Sequence, residues 1–173
     1  FYDFYKGNCS EQCLTTKIVT ENKLDYSSSA NSVKILQLLG YDSISDLELH
    51  RNLSILKNYD KIIVLHNEYV SKIMFDAITS HKNVVFLYPN SLYGEIKLDE
   101  SNNKITLIRG HGYPNSDIIN GFNWENENTN PYEFDNGCNS WEFYPISNGH
   151  MLNCYPEQII WQDELLLKKL KEL

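Results

Sequence analysis

The chain has 173 residues, of which 42% are hydrophobic and 13% aromatic, which is typical of one globular domain rather than of a disordered chain. Its net charge is −8, with 23 acidic against 15 basic side chains. An acidic chain repels phosphate backbones, so we predict no nucleic-acid partner. No apolar run approaches the roughly 20 residues of a transmembrane helix, so we also predict no membrane span in this chain.

Four cysteines, Cys9, Cys13, Cys138 and Cys154, lie towards the two ends of the sequence. Their even number predicts disulfides, and we favour Cys9–Cys13 and Cys138–Cys154 because each pair would close an irregular segment. Four reduced buried thiols are one alternative. A four-cysteine zinc site is another, although this spacing is uncommon for structural zinc. The disulfide interpretation predicts an extracytoplasmic protein, secreted or on the cell surface.

Two N-glycosylation sequons occur, Asn8-Cys9-Ser10 and Asn52-Leu53-Ser54. In a secreted glycoprotein, Asn8 and Asn52 would be the acceptors. The chain contains 20 asparagines, so such motifs also arise by chance.

The first half of the chain predicts short strands and helices in alternation. Residues 14–19 have the composition of a strand, and residues 31–39 predict a helix that ends at Gly40. Residues 42–49 alternate apolar and polar side chains, which predicts a second strand. Residues 52–57 predict a short helical turn before the next strand.

A βαβ unit is the strongest pattern in the sequence. Residues 61–65 form a continuous β-branched run, residues 71–80 predict a helix, and residues 83–88 form another apolar run. Apolar strands alternating with short helices indicate a mostly parallel sheet in a three-layer α/β fold of the flavodoxin-like or amidotransferase-like type. Residues 94–98 and 104–109 flank turn residues and predict a β-hairpin.

The last third of the chain is less regular. Residues 110–156 contain nine aromatics and three Asn-Gly pairs, which predicts an ordered, loop-rich cap held by the second disulfide. Residues 157–173 predict a helix with a leucine-rich stripe. That helix would pack on the domain, pair with another copy to form a homo-oligomer, or lead to an anchor. We predict a single domain over residues 1–173, with residues 1–13 as a cysteine-bearing segment and residues 14–109 as its sheet and helices.

Ligands of open parallel sheets bind beyond the carboxyl ends of the strands, so the two strand exits at 66–69 and 89–93 are where chemistry is expected. The first exit supplies His66 and Glu68 as candidate acid–base groups. The alternative is helix capping, with Glu68 near a helix N-terminus and Ser71 as its N-cap.

The segment 59–96 resembles the glutamine-amidotransferase-like part of the N,N-dimethylformamidase large-subunit family. It covers under a quarter of the chain, and the shared motifs are Tyr59-Asp60, His66-x-Glu68-Tyr69 and Asn90-Ser91-Leu92-Tyr93. The related glutaminases need a nucleophilic cysteine after a strand, and no cysteine of this chain lies there, so a Cys-dependent glutaminase is not expected.

The resemblance implies a mononuclear iron held by two tyrosines and a glutamate, which would polarise an amide carbonyl and activate water. Tyr69 and Tyr93 match the family motifs, and Glu142 is the candidate carboxylate by its order along the chain. Phenolate and carboxylate oxygens suit such a hard cation. The alternative for each tyrosine is packing at a sheet edge.

Two further arrangements are open. Ser91 would be a nucleophile if His66 or His111 served as its base. Alternatively, His66, His111 and His150 would converge on a metal, with Glu68 nearby.

Two functions follow from these patterns. The first is a noncatalytic extracellular domain that binds a glycan or a protein partner through its aromatic cap. The second is a metal-dependent hydrolase of small linear amides with a Tyr/Tyr/Glu iron site. The first is favoured, because a resemblance limited to one βαβ unit informs fold better than chemistry.

Overall fold

The computed structural model describes residues 1–19, 29–126, 128, 138–157 and 159–173, and these form an α/β protein with two mixed sheets. The α-helices are α1 (Tyr2–Tyr5), α2 (Ala30–Leu38), α3 (Asp46–Arg51), α4 (Lys72–Thr79) and α5 (Glu164–Glu172). The strands are β1 (Thr15–Lys17), β2 (Ile62–Val64), β3 (Tyr69–Val70), β4 (Val84–Phe86), β5 (Gly94–Asp99), β6 (Lys104–Arg109), β7 (Phe143–Ile146) and β8 (Gly149–Leu152). Short 3₁₀ helices lie at Glu11–Leu14, Leu53–Asn58 and Glu100–Asn102.

The first sheet, which we call the core sheet, has the strand order β2-β4-β8-β7. Its β4 residues Val84, Val85 and Phe86 are all 0% exposed. Val84 and Phe86 pack with Leu49 of α3 and with α4, whereas Val85 packs in a cluster with α2 and α5. Helices therefore cover both faces, as the continuous apolar runs predict.

The second sheet, which we call the hairpin sheet, has the order β1-β6-β5-β3. The predicted hairpin of β5 and β6 is present, with Ile96 opposite Leu107 and Leu98 opposite Ile105. Gly94 and Ile96 of β5 and Leu107 of β6 are buried, whereas Lys97, Lys104 and Ile108 are exposed, as expected when one face packs on the protein and the other meets water.

The prediction of a mostly parallel sheet is wrong. β2 with β4, β4 with β8 and β3 with β5 are parallel, but β1 with β6, β5 with β6 and β7 with β8 are antiparallel. Three of these six strand pairs are thus antiparallel, and two of the three are hairpins. Hairpins form where a tight turn joins two strands, and residues 147–148 make a two-residue turn between Ile146 of β7 and Gly149 of β8.

Three sequence-based boundaries also change. Residues 42–49 do not form a strand, because the Ser45 hydroxyl accepts the Glu48 N–H and the Glu48 carboxylate accepts the Ser45 N–H, a capping box that starts α3. The loop-rich segment 110–156 contains the strands β7 and β8, while residues 129–137, with the Asn136-Gly137 pair, lie outside the described residues. The last helix starts at Glu164 rather than at residue 157, because Asp163 caps it by accepting the Leu166 N–H.

Both disulfides have the favoured pairing, Cys9–Cys13 and Cys138–Cys154. The first precedes β1 of the hairpin sheet, and the second joins Cys154, two residues after β8 of the core sheet, to Cys138 in the segment before β7. Two disulfides are compatible with an extracellular setting. Among the described residues, none of the helices has the length and apolar character needed to cross a bilayer.

The leucine stripe of α5 packs on the domain, with Leu166 and Leu170 buried against α2 and the core sheet. This accounts for one of the three roles predicted for that helix. Homo-oligomer formation through α5 stays a prediction.

Candidate functional site at the junction of the two sheets

The chain passes from the core sheet to the hairpin sheet twice, and the two crossings lie side by side. Residues 65–68 lead from β2 to β3, and residues 87–93 lead from β4 to β5. The Leu92 N–H donates to the Asn67 carbonyl at 2.9 Å, and the Gly94 N–H donates to the Glu68 carbonyl at 2.8 Å. The two predicted strand exits therefore meet, and we call this region the junction.

Four polar side chains converge at the junction, and we call them the junction cluster: Tyr2, Glu68, Tyr69 and His111. The Tyr2 hydroxyl donates to Glu68 Oε1 at 2.6 Å. The Tyr69 hydroxyl lies 2.8 Å from His111 Nε2, and the same nitrogen lies 3.5 Å from Glu68 Oε1. Three oxygens and one nitrogen thus lie within hydrogen-bond or ion-pair distance of one another.

Tyr69 is positioned by the strand pairing. β3 pairs with β5 so that Tyr69 lies opposite Gly94, and a Cβ atom at Gly94 would lie 2.7 Å from Cδ1 of the Tyr69 ring. The absence of a side chain at Gly94 therefore leaves room for this ring. Phe1 contacts the ring edge-to-face, with the centroids 4.9 Å apart.

His111 is 0% exposed and is enclosed by aromatic rings. The ring centroids of Tyr2, Tyr5 and Tyr93 lie 4.9, 5.4 and 4.7 Å from that of His111, each in an edge-to-face arrangement. The short helix α1 supplies two of these rings. It therefore covers the side of the cluster that would otherwise be open.

The electrostatics of the cluster favour a neutral phenol. Burial raises the pKa of Tyr69 above its usual range, and the negative charge of Glu68 and the neighbouring Tyr2 raise it further. Tyr69 therefore keeps its proton at physiological pH as long as nothing positive lies beside it.

His66 and Asn90 extend the cluster on its other side. His66 Nε2 lies 4.0 Å from Glu68 Oε2 and 3.2 Å from Asn90 Nδ2. Within the described ranges, two buried polar atoms here have no hydrogen-bond partner, Asn90 Oδ1 and His111 Nδ1. Buried polar atoms are normally paired, so water or a bound ligand is expected to satisfy them.

The structure does not bring the three residues of the implied iron site together. Tyr69 and Tyr93 both border His111, but Glu142 is exposed beside β7, the outer strand of the core sheet. The backbone of Glu142 is hydrogen-bonded to Asn153. The carboxylate that lies beside Tyr69 is Glu68.

The two other predicted arrangements are the Ser91 nucleophile and the metal site of three histidines. The Ser91 hydroxyl is buried and donates to the Tyr88 carbonyl at 2.8 Å, with the Leu65 carbonyl at 3.2 Å. It therefore joins the two crossings. His150 lies in β8 opposite Val85, away from His66 and His111. No group of three or more His, Cys, Asp or Glu side chains suited to a metal is found among the described residues.

Two sets of residues are candidates for holding the implied cation. The trio Tyr69, Tyr93 and Glu142 does not fit, because its carboxylate lies elsewhere. The junction cluster fits in its chemistry, since it offers a carboxylate, two phenols and an imidazole, and hard cations prefer oxygen ligands. Sequence reasoning missed Tyr2, because nothing in a local pattern links the start of the chain to a residue 66 positions later.

Two cavities border the junction. The larger measures about 910 Å³ and is lined by Phe1, Tyr2, His66, Glu68 and Tyr69 among others. The smaller measures about 420 Å³ and lies on the core-sheet side. Both volumes are within the range of small-molecule pockets, roughly 300–1,000 Å³.

The aromatic residues of segment 110–156 that the structure describes largely pack inwards. Phe122 stacks on Phe75 with centroids 4.0 Å apart, and Trp124 lies 5.2 Å from the Phe86 ring. Trp141 Nε1 donates to Asp163 at 2.7 Å. These rings thus stabilise the fold, and the predicted role of the segment in binding a glycan or protein partner stays a prediction.

Both sequon asparagines, Asn8 and Asn52, are exposed. The Ser54 hydroxyl donates to Asn52 Oδ1 at 2.6 Å, so the second sequon is a local turn at the end of α3. Exposure is compatible with glycosylation, which stays a prediction.

Comparison of the chain with protein-family models, with curated proteins and with solved structures finds no match. The resemblance of residues 59–96 to the dimethylformamidase family therefore stays an expectation. The geometry of the junction is therefore the observation that bears on function.

Proposed function

We propose that this protein is a metal-dependent hydrolase of small amides, with the junction cluster as its cation site. The observation that carries the proposal is the convergence of Glu68 Oε1, His111 Nε2 and the hydroxyls of Tyr2 and Tyr69 over successive distances of 2.6 to 3.5 Å. Such buried polar groups, at the carboxyl ends of parallel strands and beside a cavity, are typical of an active site.

The protein groups divide into two roles in this proposal. Glu68 and Tyr69 would hold the cation, since both offer oxygen atoms and they are consecutive residues, Glu68 at the end of the crossing after β2 and Tyr69 at the start of β3. His66 lies on the other side of Glu68 and lines the larger cavity, where it would bind or orient the amide. A hard cation at this site would polarise an amide carbonyl and lower the pKa of bound water.

Metal analysis of purified protein and its variants tests the proposal. We expect about one equivalent of a hard cation such as Fe³⁺ after reconstitution, and an at least tenfold lower affinity in Glu68→Gln and Tyr69→Phe. Glu142→Gln is the matched control, because it makes the same change to an exposed carboxylate on the other sheet. Hydrolysis of formamide-type substrates, followed by amine release, should fall in the same two variants.

The possible results separate the ligand sets. A protein that binds no cation in titration, or one whose affinity is unchanged in Glu68→Gln, contradicts the proposal. Loss of metal in Glu142→Gln alone would instead support the Tyr69, Tyr93 and Glu142 set. Thermal unfolding of each variant shows whether the fold is retained.

A second candidate function is a noncatalytic extracellular domain that binds a glycan or a protein partner. It is favoured by the closure of the cluster, because Glu68 is 6% exposed and His111 is fully buried under α1. In that case the polar network would only join α1 to the junction. A metal-free, folded protein without amide hydrolysis would support this function over the first.

The fold relationship belongs to the same proposal. Helices on both faces of the core sheet support a flavodoxin-like or amidotransferase-like origin of that half of the protein. The two disulfides support an extracytoplasmic location.

A further inference from the structure

The smaller cavity, of about 420 Å³, has apolar walls. It lies between α2, α3 with its following 3₁₀ helix, and the core sheet. Its apolar lining includes Val33, Leu36, Leu49, Leu56, Ile62 and Val64. The apolar part of a cavity of this size favours an aliphatic group.

This cavity adjoins the junction. It shares four lining residues with the larger cavity, namely Ser29, Ser45, Asp46 and Asn67. The Asn67 carboxamide donates to Asp46 Oδ1, so this pair forms the wall between the two cavities. On the other side of this wall, the larger cavity is lined by Glu68 and Tyr69 of the junction cluster.

The charges at the rim point to an uncharged ligand. Lys61 Nζ donates to the carbonyls of Leu170 and Lys171 at 3.1 and 3.2 Å, so its hydrogen bonds are directed away to α5. In the part of the chain that the structure describes, the remaining charged groups that line the cavity are the carboxylates Asp42 and Asp46. A ligand carboxylate would be repelled there, whereas a neutral carboxamide can donate to them.

We propose that the smaller cavity binds the aliphatic part of an uncharged amide, with its carboxamide at the wall formed by Asp46 and Asn67. Only the assignment of the reacting end rests on the proposed function. The binding of the aliphatic part needs no cation. The substrate class would thus be short-chain aliphatic amides rather than fatty acids or charged peptides.

Binding of hexanamide, measured by calorimetry, tests this inference. Val33→Phe fills part of the cavity from α2 and should raise the Kd at least tenfold. Leu38→Phe is the matched control, because Leu38 lies on the same helix, is 83% exposed and lines neither cavity, so its Kd should be unchanged. Hexanoate at neutral pH should bind at least tenfold more weakly than hexanamide.

Two further variants, Ile44→Phe and Tyr69→Phe, complete this test. Ile44→Phe fills the same cavity from a loop and replaces Val33→Phe if that variant does not fold. Absence of hexanamide binding to the wild-type protein, or equal binding by the cavity-filled and control variants, overturns the inference. Tyr69→Phe should still bind hexanamide. A wild-type protein that binds hexanamide but no cation would therefore contradict the proposed function alone, and one that binds a cation but no hexanamide would contradict this inference alone.

Discussion

The core sheet and the hairpin sheet are both four-stranded and mixed, yet they differ in what surrounds them. Val84 to Phe86 in the core sheet contact protein on both faces, whereas Lys97, Lys104 and Ile108 of the hairpin sheet are exposed. A strand buried on both faces has no room for added atoms, while an amphipathic strand has one tolerant face. We therefore expect a substitution that adds side-chain atoms to lower the free energy of unfolding more in the core sheet than in the hairpin sheet.

The candidate site lies where these two environments meet. Glu68 and Asn90 follow strands of the core sheet, which hold them rigidly, and Tyr69 belongs to the edge strand of the hairpin sheet. Rigid support on one side and an accessible edge on the other suit a binding site. The largest difference in the free energy of unfolding is expected where added atoms have no room.

Gly149→Ala should disrupt the core sheet. A Cβ atom at Gly149 would lie 1.9 Å from the Val84 carbonyl oxygen, and its φ of +157° is unfavourable for a side chain. We expect a loss of about 4 kcal/mol or more in the free energy of unfolding, measured by urea denaturation.

Gly40→Ala is the control for that change. Gly40 also has a positive φ, of +86°, but no atom would contact its Cβ. We expect a cost of only about 1 kcal/mol from backbone strain. Equal losses in the free energy of unfolding for Gly149→Ala and Gly40→Ala would show that the positive φ, and not the close packing of the core sheet, causes the destabilisation.

The two disulfides should differ in the same direction. Replacing Cys138 and Cys154 by serine opens a loop spanning 16 positions at the core sheet, and replacing Cys9 and Cys13 opens one spanning 4 positions before the hairpin sheet. From chain entropy we expect losses of about 3 and about 2 kcal/mol, respectively. Urea denaturation of the two double variants gives the order, and a larger loss for the Cys9–Cys13 variant would contradict it.

The smallest effect concerns two capping aspartates. Hydrogen bonds from the Leu166 N–H and the Trp141 indole lower the pKa of Asp163 at α5, and bonds from Asn102 lower that of Asp99 at the hairpin turn. Because each folded-state pKa is depressed, the stabilisation is present above the unfolded pKa, near 3.8, and is lost as the pH falls through the folded value.

We therefore expect Asp163→Asn to lower the midpoint of thermal unfolding at pH 7, and to do so more than Asp99→Asn, since α5 packs on the core sheet. Both differences from wild type should shrink as the pH falls below about 3.8 and vanish once it is below the depressed folded-state pKa values. Thermal scans at pH 7 and at a series of decreasing pH values below 3.8 measure this, and a deficit that stays constant over that series would exclude a charge-dependent cap.

The sequence predicted best where one local pattern had one explanation. The apolar runs predicted at 61–65 and 83–88 contain the three-residue strands β2 and β4, because no polar position interrupts the middle of either run, and the hairpin at 94–109 follows from its turn residues. Residues 42–49 were misassigned because alternation over a few residues also fits a short capped helix. The Ser45–Glu48 capping box decided the outcome.

The candidate site was predictable only in part, for a similar reason. Strand exits placed Glu68, Tyr69 and His66 correctly in one region, since parallel strands end at one edge. The contributions of Tyr2 and His111 depend on contacts between distant segments, which no periodicity encodes. Order along the chain was a poor guide to Glu142, because the position of β7 in the core sheet is set by its pairing with β8.

The contacts between distant parts of the chain also affect the order in which the molecule folds. The β5–β6 hairpin joins neighbouring stretches of chain, whereas β4 must pair with β8 across the distance from Val84 to Gly149. Closing a long loop is entropically costly, so contacts of this kind form later than local ones. The junction needs both sheets, and its Tyr2–Glu68 bond also needs α1. We therefore expect the candidate site to be among the last parts of the molecule to assemble, so that its formation reports the completion of the native state.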